Sequence, residues 1–311
     1  MPLIEPQTFR FIKLGAKGTW EKSCIEEEST IRLGYESPHH ENSLAGEWAP
    51  VRAFWLEYRK GDRGAASRDL KQIRDFYELS EDALWFTFYK RRLYWCFAEK
   101  QVIQRSDDSS RTRRTRSGWS CRDINGKNEL TIENIDGRVS KVQGFRGTIC
   151  AVEPWIENYL RNKINGLEQL DVREAQEKLE SLQHSIQSLI QGLWWKDFEL
   201  LVDLIFAQSG WQRLSVLGQT DKDIDLDVFS PVTNRRAFIQ VKSEASNEVF
   251  DDCVARFREM DQFDEMYFVV HTCNRKLADR TGARVNILDL EKLSKLVINA
   301  GLINWLITKR S

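Results

Sequence analysis

The stretch TDKDIDLDVFSPVTNRRAFIQVKS, residues 220–243, decides how this chain is read. Asp223, Asp225 and Asp227 alternate with Ile224, Leu226 and Val228. A strand here would turn the apolar set to one side and gather three carboxylates on the other. Like charges so placed repel, and water or a bound divalent cation must neutralise them; Mg2+ takes such hard oxygen ligands. For this run alone a solvated acidic turn is the simpler account.

Fifteen residues after Asp225, FIQVKS repeats the geometry, with Ile239 and Val241 on one side and Gln240 and Lys242 on the other. A neighbouring strand would bring this polar pair beside the aspartates. A carboxylate, an amide oxygen and a lysine converging on one point suit phosphodiester hydrolysis. A metal there polarises the phosphate and helps deprotonate water, while an ammonium stabilises the developing negative charge. The competing account makes Gln240 and Lys242 the solvent face of an edge strand, where lysine guards against edge pairing.

Working outward, LWWKDFELLVDLIFAQSGW (193–211) reads as an apolar helix over about Trp195–Gln208, stopped by Gly210. Downstream, EMYFVVHT (265–272) reads as a strand, and Glu248–Asp261 and Asp289–Ala300 as helices. These residues resemble the Mrr-like restriction endonucleases of the PD-(D/E)xK superfamily, over roughly Trp194 to Ile307. The pattern of that group is a helix bearing Glu, then Asp, then (D/E/Q)-x-K. Trp195, Phe198, Glu199, Leu201, Val202, Gly210 and Trp211 match its first helix. Asp221, Asp223, Ile224 and Asp225 match its D-x-G-I-D segment, with Asp223 where the glycine is expected, and Gln240, Val241 and Lys242 match its glutamine variant.

The resemblance implies an α/β domain with a mixed central sheet flanked by helices. It further implies that Asp225, the Gln240 side-chain oxygen and the Val241 carbonyl hold Mg2+, with Mn2+ able to substitute. Lys242 would orient water and stabilise the transition state, and Glu199 would support Lys242 or another metal. So near an acidic cluster, Lys242 suits an electrostatic role better than that of a general base.

LEQLDVREAQEKLESLQHSIQSLIQ (167–191) carries Leu167, Leu170, Val172, Leu179, Leu182, Ile186 and Leu189 largely at helical spacing, and reads as a linker helix within 166–192. It would separate a front domain, 1–165, from a nuclease domain, 193–311. The front domain shows strand-like runs at 9–14, 83–89 and 92–99 with few helices, the clearest being Ala65–Leu79. This is a small α+β domain, and a barrel would also fit. The polar run 106–118 reads as an exposed loop whose Arg111, Arg113, Arg114 and Arg116 face solvent or phosphate.

Most aromatic residues of the front domain must be core. Trp20, Trp48 and Trp119 lie in Gly- and Ser-containing loops, however, where an exposed ring can stack on a flipped base and surrounding arginines can grip the phosphates. Phe9 to about Gly34, with its G-T-W and I-R-L-G-Y, resembles the PUA-like group that includes EVE and YTH readers of modified bases. That implies a reader licensing a nuclease, hence a modification-dependent restriction enzyme acting on DNA. Cutting both strands would call for two sites, hence a homodimer.

Composition is compatible with this and decides little. At 311 residues and 41% apolar content there is enough chain for two cores. Residues 1–165 hold 28 Lys+Arg against 24 Asp+Glu, a balance of +4; the remainder holds 18 against 23, or −5. No membrane-spanning run, signal peptide or paired-cysteine zinc motif is legible, so a cytoplasmic protein with no membrane partner is expected. Two other readings stand beside the first: an RNA-directed or nucleotide-activated nuclease, and an inactive nucleic-acid-binding regulator.

Overall fold

The computed structural model describes residues 2–214, 225–273, 277, 280 and 282–311. The chain divides into two compact units, Met1–Gln169 and Leu170–Ser311.

In the first unit, β1 (Thr8–Ile12) lies between β3 (Ala83–Tyr89) and β7 (Ile149–Ala151), and β4 (Arg92–Phe97) pairs with β3 to complete a four-stranded sheet. A second sheet places β6 (Arg111–Arg114) between β2 (Thr30–Leu33) and β5 (Ile103–Gln104). A bridge between Ala98 and Thr115 links the two. The helices are α1 (His40–Ala45), α2 (Trp48–Tyr58), α3 (Arg63–Glu78), α4 (Gly137–Ser140) and α5 (Pro154–Ile164). Helical content thus exceeds the expectation, because α1 and α2 occupy a segment whose weak amphipathic stripe gives little periodic signal. Helix α3 forms where its stripe predicts: the Asp62 side chain accepts from Ala65 N at 2.9 Å as an N-cap, and Ile73, Phe76 and Tyr77 are buried.

The expected exposed loop at 106–118 is overturned over its middle. Arg111–Arg114 is the central strand of its sheet, and Arg111 and Arg113 are 1% and 0% exposed. Arg111 donates to the carbonyls of Tyr35 and Ser37. Arg113 donates to those of Glu99, Phe76 and Ala98, at 2.5, 3.1 and 3.2 Å. The guanidinium fork satisfies acceptors that the turns and the end of α3 leave without an N–H partner. Burial pushes the Arg113 guanidinium down to about 10. Arg113→Met, which keeps the stem and removes every donor, should therefore destabilise this unit by about 3 kcal/mol in denaturant unfolding, while Arg114→Ala, at an exposed site, should stay within about 0.5 kcal/mol.

The second unit is built on a five-stranded sheet in the order β12 (Val285–Leu288), β11 (Glu265–Thr272), β10 (Arg235–Glu244), β9 (Leu226–Ser230), β8 (Gln212–Arg213). β10, β11 and β12 run parallel, and β9 and β8 are added antiparallel. The helices are α6 (Leu170–Gln191), α7 (Trp195–Gln208), α8 (Asn247–Arg258), α9 (Leu290–Asn299) and α10 (Ile303–Arg310). One face of the sheet, through Leu226, Val228, Ala237, Ile239, Val241 and Val269, packs on residues of α6, α7, α9 and α10. The other, through Phe238, Met266, Phe268 and Val270, packs on Phe250, Cys253 and Phe257 of α8. This is the mixed sheet flanked by helices that the resemblance implied.

Helix α6 is not a free linker. Its Ile186 and Ile190 are buried in the same core as Leu293, Val297 and Leu306, so it counts with the second unit. Leu170, Val172, Leu179 and Leu182, ahead of these two, stay exposed. No described helix is long and apolar enough to cross a membrane.

Candidate active site

β10 pairs with β11 through Gln240 and Lys242 and with β9 on its other side as far as Ile239, and Gln240 is buried, so the account that makes it the solvent face of an edge strand does not apply. Its register with β9 ends at Ile239 opposite Leu226. One step further, the Asp225 carboxylate takes the place of the next ladder acceptor: Oδ2 accepts from Val241 N at 2.7 Å and from Gln240 Nε2. In an extended strand a residue's N–H and C=O face the same neighbouring strand, so the Val241 carbonyl lies on the Asp225 edge as well. Local alternation therefore places Asp225, the Gln240 amide and the Val241 peptide at one point.

Gln240 is 3% exposed, and its Oε1 is buried without a hydrogen-bond partner. A buried orphan acceptor costs about 1–3 kcal/mol unless something fills it. The chemistry of the donor set, an unpartnered amide oxygen with a carboxylate beside its amide, is one that would fit a hard cation. Among the described residues, no three His, Cys, Asp or Glu side chains converge as a metal cluster.

Glu199 projects from the first turns of α7 and is half-buried. Its carboxyl is raised above the ordinary glutamate range, first by burial and then by the charge of Asp225, with Lys242, Lys196 and Arg213 opposing. The carboxyl of Glu199 thus feels the charges of both Asp225 and Lys242. A cation held at Asp225 would relieve the repulsion between the two carboxylates. On the face of the sheet that Gln240 and Lys242 share with Phe238, the buried Cys253 thiol of α8 is pushed up, first by burial.

Asp227 takes a different role. Arg236 grips it with Nε to Oδ1 at 2.9 Å and Nη2 to Oδ2 at 2.5 Å, a bidentate pair one strand across. That arginine was missed in the sequence, although Arg236 and Asp227 flank the turn at hairpin spacing. Asp221, Asp223 and Ile224 lie outside the described residues. Of the three alternating aspartates, then, Asp225 is the one seen meeting Gln240.

The three front tryptophans are not brought together. Trp20 borders a cleft of about 480 Å3 with Lys13, Lys17, Tyr35 and Arg146, and Arg32 lies over its ring at 4.1 Å. Trp48 begins α2 instead of standing in a loop, edge-on to Tyr77 at 6.2 Å with Arg74 above it at 5.4 Å. Trp119 Nε1 donates to the Thr30 carbonyl at 3.0 Å, and the ring packs on the core. Both are framework residues whose polar tips or faces are already engaged. Arg114 and Arg116 are exposed, whereas Arg111 and Arg113 are structural as described above. The cations of the Trp20 cleft escaped the sequence reading because Arg146 is far from Lys13 and Lys17 in the chain.

Residues 190–297, which lie within the second unit, match the family model described as restriction endonuclease. Two solved structures are also similar. One is the DNA modification-dependent restriction endonuclease AspBHI, 10% identical with a TM-score of 0.32, covering 91% of this chain and 80% of that one. The other is the MspJI restriction endonuclease in complex with a 27-mer oligonucleotide, 15% identical with a TM-score of 0.26, covering 80% and 70%. None of the curated proteins matches the sequence.

Proposed function

We propose that this protein is a Mg2+-dependent endonuclease that hydrolyses DNA phosphodiester bonds, with a front unit that makes cutting conditional on a modified base. The observation that carries the first half is the meeting of Asp225, Gln240 and Val241 on a central strand, with the charges of Asp225 and Lys242 both felt at the Glu199 carboxyl. Asp225, Gln240 Oε1 and the Val241 carbonyl would hold the cation, which when bound supplies Lewis-acid polarisation of the phosphate and an acidified water. Lys242 presents its ammonium to the negative charge that develops on the phosphoryl oxygens. Glu199 orients that ammonium and keeps a second carboxylate beside the water's path.

The second half rests on the Trp20 cleft, whose wall combines an aromatic ring with Lys13, Lys17 and Arg146 and has no carboxylate among its lining residues. An aromatic face takes a flipped base and cations take its flanking phosphates. A homodimer would supply the second active site needed to cut both strands.

The test is cleavage of a DNA panel, unmodified or carrying methylcytosine, hydroxymethylcytosine or methyladenine, with Mg2+, with Mn2+ and with chelator. Cutting that requires the cation and one modification, and that Trp20→Ala makes indifferent to the modification, supports both halves. Cation-dependent cutting of every DNA alike would sink the reader. Cutting of RNA alone would move the substrate class.

A further inference from the structure

Helix α7 brings Glu199 into the site, and its first residues are not used by the hydrolysis just described. Trp194 and Trp195 are 57% and 51% exposed, and every other described Phe, Tyr or Trp of this unit is buried or half-buried. The two indoles meet edge to face with centroids 5.7 Å apart. Lys196 Nζ stands 5.2 Å from the centroid of each. No side chain caps the helix at Trp194. Two adjacent rings left in water forgo the burial that their neighbours obtain, which marks a surface covered by something else in use.

Its position says what covers it. Trp195 and Glu199 are four residues apart in one continuous helix, so they share a face about 6 Å apart along the axis. One helical turn therefore separates Trp195 from Glu199, the acid that α7 contributes to the proposed site, so the rings stand beside that site. A cation between two exposed indoles suits a polyanion with flat π-faces better than an apolar protein surface.

We infer that Trp194, Trp195 and Lys196 form a strand-positioning platform: an indole stacks on a nucleobase next to the scissile phosphodiester, and Lys196 takes a flanking phosphate. A base can stack there only after leaving its partner, so the platform acts on a strand that is locally unpaired beside the cut. Because every base has a π-face, it positions without reading sequence. These are positioning residues, and the inference rests on the nuclease reading above.

The test uses the full chain and whichever DNA the wild type cuts. Once the cut is mapped, single-turnover cleavage is compared for wild type, Trp195→Ala and Trp195→Phe. Each is tried on intact substrate and on substrates with one abasic nucleotide at successive positions beside the cut. Trp195→Ala should cut about ten-fold more slowly at subsaturating enzyme and Trp195→Phe should recover most of the loss. One abasic position should slow the wild type by a similar factor and leave Trp195→Ala no slower than before. A merely structural role would not produce that non-additivity. A second measurement guards against misfolding: Lys196→Gln should make the salt dependence of DNA binding shallower by about one unit of slope. Wild-type cutting with Trp195→Ala equally fast, or with the same abasic loss in both, overturns the platform alone. A wild type that cuts no nucleic acid under any cation overturns the nuclease reading and this one with it.

Discussion

Asp225→Asn is expected to lower the single-turnover rate of DNA cleavage on the order of 10³-fold or more, at saturating Mg2+ and with the melting temperature nearly unchanged. Asparagine is the informative change because Asp225 has two duties. Its Oδ2 accepts from Val241 N and from Gln240 Nε2, and an amide oxygen can accept both. The hydrogen bonds that hold the end of β9 against β10 therefore survive, while the charge that would attract a cation is lost. Asp225→Ala separates the two duties from the other direction: it should be equally inactive and in addition less stable by about 2–3 kcal/mol, since the buried Gln240 amide and the Val241 N–H lose their acceptor. Asp227→Asn is the contrast, costing the ion pair with Arg236 and little activity. Cleavage by Asp225→Asn within ten-fold of wild type would remove Asp225 from the centre of the site.

Lys242→Met should lower the same rate by about 10²- to 10³-fold while leaving DNA affinity within a few-fold. Methionine preserves the stem and volume that fill the strand end and removes only the ammonium. The side chain is half-buried and its charge is felt at Glu199, so it works in a medium less screening than water. Lys242→Arg should not restore the rate, because a planar fork cannot occupy the place of a compact ammonium aimed at one oxygen. If Lys242→Met instead weakens binding in proportion to rate, the lysine is a phosphate grip, and transition-state stabilisation must be sought elsewhere.

How much of this was legible before the fold was known differs between the two units, for physical reasons. In the second unit, strands and helices have strong periodic signals. Glu265–Thr272 and Trp195–Gln208 end where their apolar patterns end, and Gln240 and Lys242 oppose Ile239 and Val241 as alternation requires. In the first unit the same reasoning failed at Arg111 and Arg113, since composition treats an arginine-rich run as solvated. What buries these two is a set of carbonyls contributed by Tyr35, Ser37, Phe76, Ala98 and Glu99, residues distant in the chain. Trp48 shows the same limit in its placement: a glycine nearby signals a turn and does not reveal that the tryptophan opens a helix and packs edge-on to Tyr77.

The sequence by itself determined the period of each strand and helix in the nuclease unit, and with it which side chains share a face. Asp225, Gln240 and Lys242 could be named because alternation is a property of the backbone that no partner can change. Tertiary structure alone decided which of those faces had a purpose. It made β10 central and not an edge, gave Asp227 to Arg236, left Gln240 Oε1 buried with no partner, and put Glu199 where it feels the charge of Asp225. Such outcomes depend on pairings between segments far apart in the chain, and a local pattern holds no record of which segment becomes its neighbour.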